Sequence, residues 1–397
     1  MTTPSHHATP PGPAAVPARA SALGTLAALT LLIVMLWGVW QVSGAVRQGL
    51  EFPATLTDFR EGRSTQTIEK QIDHKLPARE SLIAFANALR YRLQHGAGEQ
   101  VRLGRDDWLF LTDEIRFHAD AAANQTQRVR LLAEVQRALQ AQDVQLLVAL
   151  VPDKGRIYAP QLASAKLPQH TAGRYATALA ELRSAGVSVV DLNQPLAQAA
   201  DQGGASAPAY YRTDTHWNML GAQVAAKAIA AAATQVPGLT LTPVTRYQTA
   251  LAGPEAERPG DLIKLMGLMQ VSNFWRPQPD RETPLVTSEV PASAAAAPVA
   301  ASAANSLLGD VAGPPVVLLG TSYSLRGNFH GHLQQALSAQ VLNTAKDGGG
   351  FLQAATEYFK DEAFQTAKPR LIVWEVPERF LSEPLSKEAG WRVSVGL

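Results

Sequence analysis

Three apolar runs constrain this chain more than any other feature: Val144 to Val151, Pro315 to Gly320 and Leu371 to Val376. Each has the length of a strand and is too short for an independent helix. Apolar residues are continuous rather than alternating, so such strands must be covered on both faces. Helical patterns separate them, over 127–140, 175–184 and 219–232, and two shorter strand candidates lie at Val187–Asp191 and Val341-Leu342. Strands alternating with helices predict an α/β fold, a parallel sheet with helices on both faces. Upstream, Val101 to Leu111 reads as a hairpin turning at Gly104 to Asp107.

The N-terminal part obeys a different rule. Residues 1–19 are rich in Pro, Ala and His and predict a disordered tail. No charged residue occurs from Ala20 to Val46, and Trp37 and Trp40 stand near the end of the run. That length suits one transmembrane helix, with interfacial tryptophans at its exit. A cleaved signal peptide is the competing expectation, because Ser43-Gly44-Ala45 resembles a cleavage site. The apolar run exceeds the usual signal core, which favours an uncleaved anchor at 20–46 and an exported remainder. Residues 47–98 follow as a helical segment, with Ile68, Ile72, Leu76, Leu82, Phe85, Leu89 and Leu93 at helical spacing and Pro77 breaking the run. The main domain is expected over 99–397, carrying an Ala/Pro-rich, low-complexity insertion at 283–314.

Composition removes several function classes. Cysteine is absent, so thiolate catalysis, Cys-ligated zinc, iron–sulfur clusters and disulfides are excluded. The formal net charge is +1 without a basic run, which argues against nucleic acid as the main partner. Neither a cofactor nor a metal is expected.

Chemistry concentrates in two stretches. Tyr211-Arg212-Thr213-Asp214-Thr215-His216-Trp217-Asn218 offers an acid and a base two positions apart, on one side of an extended segment. Gly320-Thr321-Ser322-Tyr323-Ser324 follows an apolar run, at the carboxyl end of a strand where open parallel sheets bind ligands. Serine needs a base to be nucleophilic at neutral pH, and the base needs a carboxylate to set its tautomer. Ser322, His216 and Asp214 supply those roles. Taken alone, Ser322 could equally cap the next helix, and a lone D-x-H is more often structural. Trp217 is expected to pack behind the imidazole and Asn218 to cap the helix starting at Met219. Lower-ranked candidates for substrate or oxyanion contact are Tyr323, Arg326, Asn343, Lys154 and Trp217. Asp153, Arg156 and Asn328 stand at suspected strand ends, Gly348-Gly349-Gly350 reads as a tight turn, and Glu375 either orients a basic group or pairs with Arg379.

These stretches resemble the alginate O-acetyltransferase family of the AlgJ/AlgX type. The D-x-H-W-N block with Gly221-Ala222, Gly104 to Leu111, Val151 to Gly155 with Tyr158, Pro259-Gly260-Asp261-Leu262, Gly320 to Ser324 and Trp374 to Arg379 follow in the family's order, and His74 to Arg79 agrees upstream. The resemblance implies an SGNH-hydrolase-like domain with Ser322 as nucleophile, His216 as base and Asp214 as orienting acid. It also implies acetyl transfer onto an exopolysaccharide in the periplasm by a protein anchored in the inner membrane. The acetyl group would come from a multispanning, membrane-bound acyltransferase of the MBOAT type. The 283–314 insertion departs from the family pattern. Two alternatives remain open: an esterase removing acetyl groups from a polysaccharide, and a non-catalytic scaffold of a secretion complex.

Overall fold

The computed structural model describes residues 18–47, 55–61, 69 and 79–397, apart from 165, 205–206, 244, 291–312 and 387. The N-terminal tail to residue 17, Ile68, Ile72, Leu76, Pro77 and most of the Ala/Pro-rich insertion lie outside the described residues. The chain divides into two units, residues 1–85 and 86–397.

The first unit contains the helix Ala18–Arg47. Its window Gly24–Gln41 has a mean hydropathy of 1.7, and Leu29, Ile33, Leu36 and Trp40 are exposed along it. Eighteen such residues rise about 27 Å, close to the hydrocarbon thickness of a bilayer. By length and composition the helix is a candidate single-pass span.

The second unit is built on a parallel sheet. Its strands, in chain order, are β1 (Val101–Leu103), β2 (Leu109–Leu111), β3 (Gln145–Val151), β4 (Val189–Asp191), β5 (Tyr247–Leu251), β6 (Ala256–Arg258), β7 (Asp280–Glu282), β8 (Leu285–Glu289), β9 (Val316–Leu319), β10 (Val341–Asn343) and β11 (Leu371–Pro377). Five of them form the main sheet in the order β10-β9-β11-β3-β4, all parallel. Side chains alternate between its two faces, as the pleat requires. Leu147, Ala149, Val151, Leu318 and Val373 join a core formed with helices Asn193–Gly203, Met219–Ala233 and Phe329–Leu337. Leu146, Val148, Leu150, Leu319 and Trp374 join the opposite core, formed with helices Ala121–Gln140, Arg174–Ser184 and Gln353–Lys360. Continuous apolar sequence is what a strand buried on both faces needs.

Three antiparallel ribbons accompany the sheet. β1 and β2 make the expected hairpin. β5 pairs β8, and β6 pairs β7. Leu285–Glu289, expected to belong to the low-complexity insertion, is therefore an ordered strand. Its β-branched pair Val286-Thr287 suits an extended backbone.

All five sheet strands point the same way, so their carboxyl ends gather at one edge. The β3 end brings Lys154, β9 brings Ser322, β10 brings Asn343 and β11 brings Glu375. That common edge is what assembles the site. The core beneath it is tightly buried, with Leu318 at 0% exposure. Leu318→Ala should cost about 2–5 kcal/mol, whereas Leu342→Ala, at a half-exposed position of edge strand β10, should cost about 0.5 kcal/mol. Urea unfolding of the detergent-solubilised chain checks both.

Candidate active site

The loop between residues 210 and 218 is not an extended strand. It is a tight excursion closed by a single bridge between Tyr210 and Trp217. Asp214 and His216 meet because the Asp214 carboxylate accepts the His216 backbone N–H at 3.0 Å, an Asx-type turn. The same oxygen, Oδ1, lies 2.6 Å from His216 Nδ1. A carboxylate only accepts, so Nδ1 carries the proton and Nε2 presents a lone pair. Ser322 Oγ lies 2.7 Å from that Nε2. Its hydroxyl can donate to Nε2, which completes an unbroken line from the hydroxyl through the imidazole to the carboxylate.

Asp214 is saturated. Its Oδ2 accepts Arg258 Nη1 at 3.0 Å and the Asp261 N–H at 3.1 Å. Burial pushes the Asp214 carboxyl up, but the His216 hydrogen bond and charge, with Arg258, outweigh burial and hold it well below the usual carboxylate range. Asp214 is therefore ionised at neutral pH. Asp214, His216 and Asp261 bring ligand-type atoms within 4.8 Å of one another. Four N–H donors already occupy the Asp214 oxygens and a guanidinium stands beside them, so the set fits a carboxylate–imidazole pair and not a cation.

Ser322 opens a short 3-10 turn, Ser322–Leu325, after β9. Thr321 caps the turn by accepting the Tyr323 N–H at 3.3 Å. Beneath it, the fully buried Glu375 accepts the Thr321 N–H at 2.7 Å, the Thr321 hydroxyl at 3.0 Å and the Ser324 hydroxyl at 3.1 Å. Burial raises the Glu375 carboxyl and these bonds oppose it. Glu375 thus anchors the nucleophile turn, while Arg379 pairs with Asp153 at 3.0 Å instead. Gly320 is obligatory for reasons of space. A Cβ there would collide with Ser324 Oγ and stand 2.7 Å from Glu375 Oε2.

The remaining sequence candidates divide. Lys154 is fully buried, and its ammonium donates to the carbonyls of Asp214 at 2.7 Å and of Tyr211 and Arg212 at 3.2 Å. It holds the acid–base loop. Asp153 and Arg156 join a buried charge network, Arg174–Asp153 at 2.6 Å and Arg156–Glu378 at 2.6 Å. Tyr323, not Trp217, packs on the imidazole, with ring centroids 4.8 Å apart. Trp217 packs on Tyr323 at 5.0 Å, and its indole N–H donates to the Tyr323 carbonyl at 3.1 Å. Both are completely buried. Asn218 caps helix Met219–Ala233 through Gly221 N. Asn343 donates to the Ser324 carbonyl at 3.0 Å and accepts the Ala345 N–H, tying β10 to the nucleophile turn. Arg326 lies at the surface, 3.2 Å from Asp347. Asn328 donates to Thr287 on β8 at 2.9 Å.

Arg258, Asp280 and Glu282 escaped sequence reasoning. Arg258 stacks over the Tyr211 ring at 3.9 Å. Asp280 accepts the N–H groups of Arg212 and Thr213 at 2.9 Å, and Glu282 accepts from the Tyr211 hydroxyl. The β6–β7 ribbon thereby clamps the acid–base loop, in addition to the hold of Lys154 on its carbonyls. Only the bare sequence Glu257-Arg258-Pro259-Gly260-Asp261 could have drawn attention to it.

Comparison with known proteins agrees with this architecture. Over residues 101–378 the sequence matches a family described as SGNH hydrolase-like domain, acetyltransferase AlgX. A Pseudomonas aeruginosa protein named Probable alginate O-acetylase AlgJ is 33% identical over 82% of this chain and 81% of its own length. Its namesake from Pseudomonas putida is 33% identical over 90% of this chain and 88% of its own length. Among solved structures, the O-acetyltransferase domain of Pseudomonas putida AlgJ superposes with a TM-score of 0.62 at 33% identity, covering 74% of this chain and 99% of that one. Pseudomonas aeruginosa AlgX, at 23% identity, shares the fold with a TM-score of 0.55 over 74% of this chain and 65% of that one.

Two outcomes follow from the geometry. Gly320→Ala should displace the turn and slow labelling of Ser322 by a sulfonyl fluoride roughly 100-fold in a protein whose far-UV spectrum is unchanged. The depressed Asp214 carboxyl contributes stability that is full above its unfolded value near 4 and lost as pH falls toward its folded value. The stability difference between wild type and Asp214→Asn should therefore shrink as pH falls below about 4, measured by urea unfolding at each pH.

Proposed function

Because the chain belongs to the family of SGNH hydrolase-like, AlgX-type acetyltransferase domains, we propose that it is an O-acetyltransferase acting through Ser322, His216 and Asp214. The observation that carries this proposal is the line of two short contacts, 2.7 Å from Ser322 Oγ to His216 Nε2 and 2.6 Å from His216 Nδ1 to Asp214 Oδ1. Ser322 attacks the carbonyl carbon of an acetyl donor while Nε2 takes the hydroxyl proton. Asp214 holds the imidazole in the accepting tautomer and stabilises the imidazolium. The tetrahedral intermediate collapses, His216 returns the proton to the leaving group, and acetyl-serine remains. A sugar hydroxyl then attacks the acetyl-serine, giving its proton to His216; the intermediate collapses, the bond to Ser322 Oγ breaks, His216 returns the proton to that oxygen, and the acetyl ester leaves on the acceptor. Ser322 N–H, at the first position of its turn, has no acceptor within the turn and is a candidate donor to the oxyanion. Asn343 is a weaker candidate, since its amide is already bonded to Ser324.

The acceptor in this proposal is an exopolysaccharide, following the names of the alginate relatives. Ser322 is only partly buried, which suits approach by a hydroxyl on a long chain. The apolar helix Ala18–Arg47 serves as a single-pass inner-membrane anchor with the α/β unit in the periplasm. A membrane-bound acyltransferase delivers the acetyl group there.

Acetyl release from an activated acetyl ester by the detergent-solubilised chain tests the mechanism. Ser322→Ala and His216→Ala should lose the enzymatic rate, and Asp214→Asn should lose roughly 10⁴-fold in kcat. Retained turnover in Ser322→Ala would remove the proposal. With an oligosaccharide acceptor present, acetyl recovered on sugar supports transfer, whereas acetate alone makes the protein an esterase.

A further inference from the structure

A second carboxylate faces the same imidazole. Asp261 opens the short helix Asp261–Leu265, and its Oδ2 lies 3.7 Å from His216 Nδ1. Its side chain is held in place. Oδ1 accepts the Thr215 N–H at 2.7 Å and the Thr215 hydroxyl at 3.2 Å, and its own N–H donates to Asp214 Oδ2 at 3.1 Å. The preceding residue must be glycine for space alone, because a Cβ on Gly260 would collide with the Thr213 carbonyl. The two segments are thus pressed together backbone to backbone, and the Asp261 carboxylate is delivered to the imidazole by that contact.

The charges around the ring explain why a second carboxylate is useful. Asp214, on the same loop as His216, is flanked by two cations. Arg258 from β6 binds its Oδ2 at 3.0 Å, and Lys154 from the end of β3 binds its carbonyl at 2.7 Å. Both weaken the field that Asp214 exerts on an imidazolium. Glu282 from β7 lies 3.4 Å from Arg258, and Asp280, also from β7, pairs with the loop backbone and with Arg212 at 3.8 Å. From the nucleophile turn, Tyr323 offers only its buried ring, its hydroxyl donating to the Thr215 carbonyl. Among the described residues Asp261 makes no ion pair with a lysine or arginine; the buried Lys154 ammonium acts on it only through the wider field.

We propose that Asp261 is a positioning residue for acetyl transfer, a second carboxylate that stabilises the His216 imidazolium while Asp214 fixes the ring's tautomer. The proposal rests on the serine–histidine reading above. Division of labour follows from the contacts. Asp214 makes the short bond to Nδ1 and cannot be moved. Asp261 stands farther away, is one-third exposed and acts through its charge. Burial and the Asp214 charge both raise the Asp261 carboxyl, so it loses its charge at a higher pH than Asp214 does.

The test uses the full chain in detergent with isotopically labelled histidine, the His216 signal being identified by its loss in His216→Gln. Asp261→Asn keeps an oxygen for the Thr215 N–H. Its His216 titration should move down by about one pH unit. The acid limb of kcat/KM should move with it, and kcat should fall roughly tenfold with KM unchanged. A His216 titration that stays at the wild-type position in folded Asp261→Asn overturns the proposal. Should Asp261→Asn fail to fold, Arg258→Gln gives the complementary reading. Removing that cation should move the His216 titration up, and no movement overturns the charge argument. The titration is read without turnover, so its outcome is independent of Ser322. Acetyl release that survives Ser322→Ala would defeat the serine–histidine reading, and the catalytic use of Asp261 with it, even if the titration moves.

Discussion

A buried ammonium organises the acid–base loop, and most of the site depends on it. Residues 211–216 make almost no regular hydrogen bonds, so their carbonyls need donors from elsewhere. Lys154 supplies three N–H groups to three of them. Burial pushes its ammonium toward the neutral form, and the carboxylates Glu114, Asp261, Asp280 and Asp214 oppose that. The rings of Phe110 and Trp108, 5.2 and 5.8 Å away, add an attractive face. Because Lys154 follows directly on β3, the central sheet and the loop are coupled through one side chain. The position of His216 is therefore inherited from the sheet rather than from the loop's own preferences.

The nucleophile has a separate support. Its turn follows β9 and rests on Glu375 from the neighbouring β11, with Trp374 and Leu319 in register across the two strands. A fully buried carboxylate is costly to desolvate, and Thr321 and Ser324 offset this by donating to it. Base and nucleophile thus hang from different strands, β3 and β9, with β11 lying between them in the sheet. A displacement of either strand end would open the 2.7 Å gap. The cluster of Asp153, Arg174, Glu378 and Arg379 at the ends of β3 and β11 stiffens that junction. Arg379 also lies 5.9 Å from the Tyr323 ring, the aromatic that backs the imidazole.

Much of this was legible from the residues alone, and the reason is periodicity. Runs such as Val144 to Val151 can hardly be anything but strands covered on both sides, and the sheet followed. Asp214, His216 and Ser322 stood out because their residue types and strand-end context match a known chemistry. Contacts between distant segments were not legible. Lys154 was weighed as a substrate ligand because a lysine after a strand usually meets solvent; only the fold shows it pointing into the loop's carbonyls. Trp217 is expected behind the imidazole, but Tyr323 takes that place and Trp217 packs on Tyr323, for the same reason. Both rings are buried, and adjacency to His216 in sequence favoured the wrong one. The β5–β8 and β6–β7 ribbons expose most of their side chains, so no apolar pattern announced them. With them went Arg258 and Glu282.

Those ribbons bear on why the site is shaped as it is. A buried serine in an enclosed pocket would select a small acceptor and exclude a polymer. Here the Ser322 hydroxyl sits at the sheet edge, partly exposed, and the Asp214 carboxylate is shielded instead, at 3% exposure. Shielding matters more for the acid than for the serine. Water competing for the Asp214 oxygens would loosen the imidazole, whereas an open serine merely admits a larger acceptor. Arg258 from β6 and the Asp261 N–H occupy one Asp214 oxygen and Lys154 binds its carbonyl, while Ser322 stays partly exposed. Openness also admits water to any acyl-serine. In the proposed reaction, transfer rather than hydrolysis depends on a bound acceptor occupying the approach to Ser322, and that acceptor would complete the exclusion of solvent that the fold leaves unfinished.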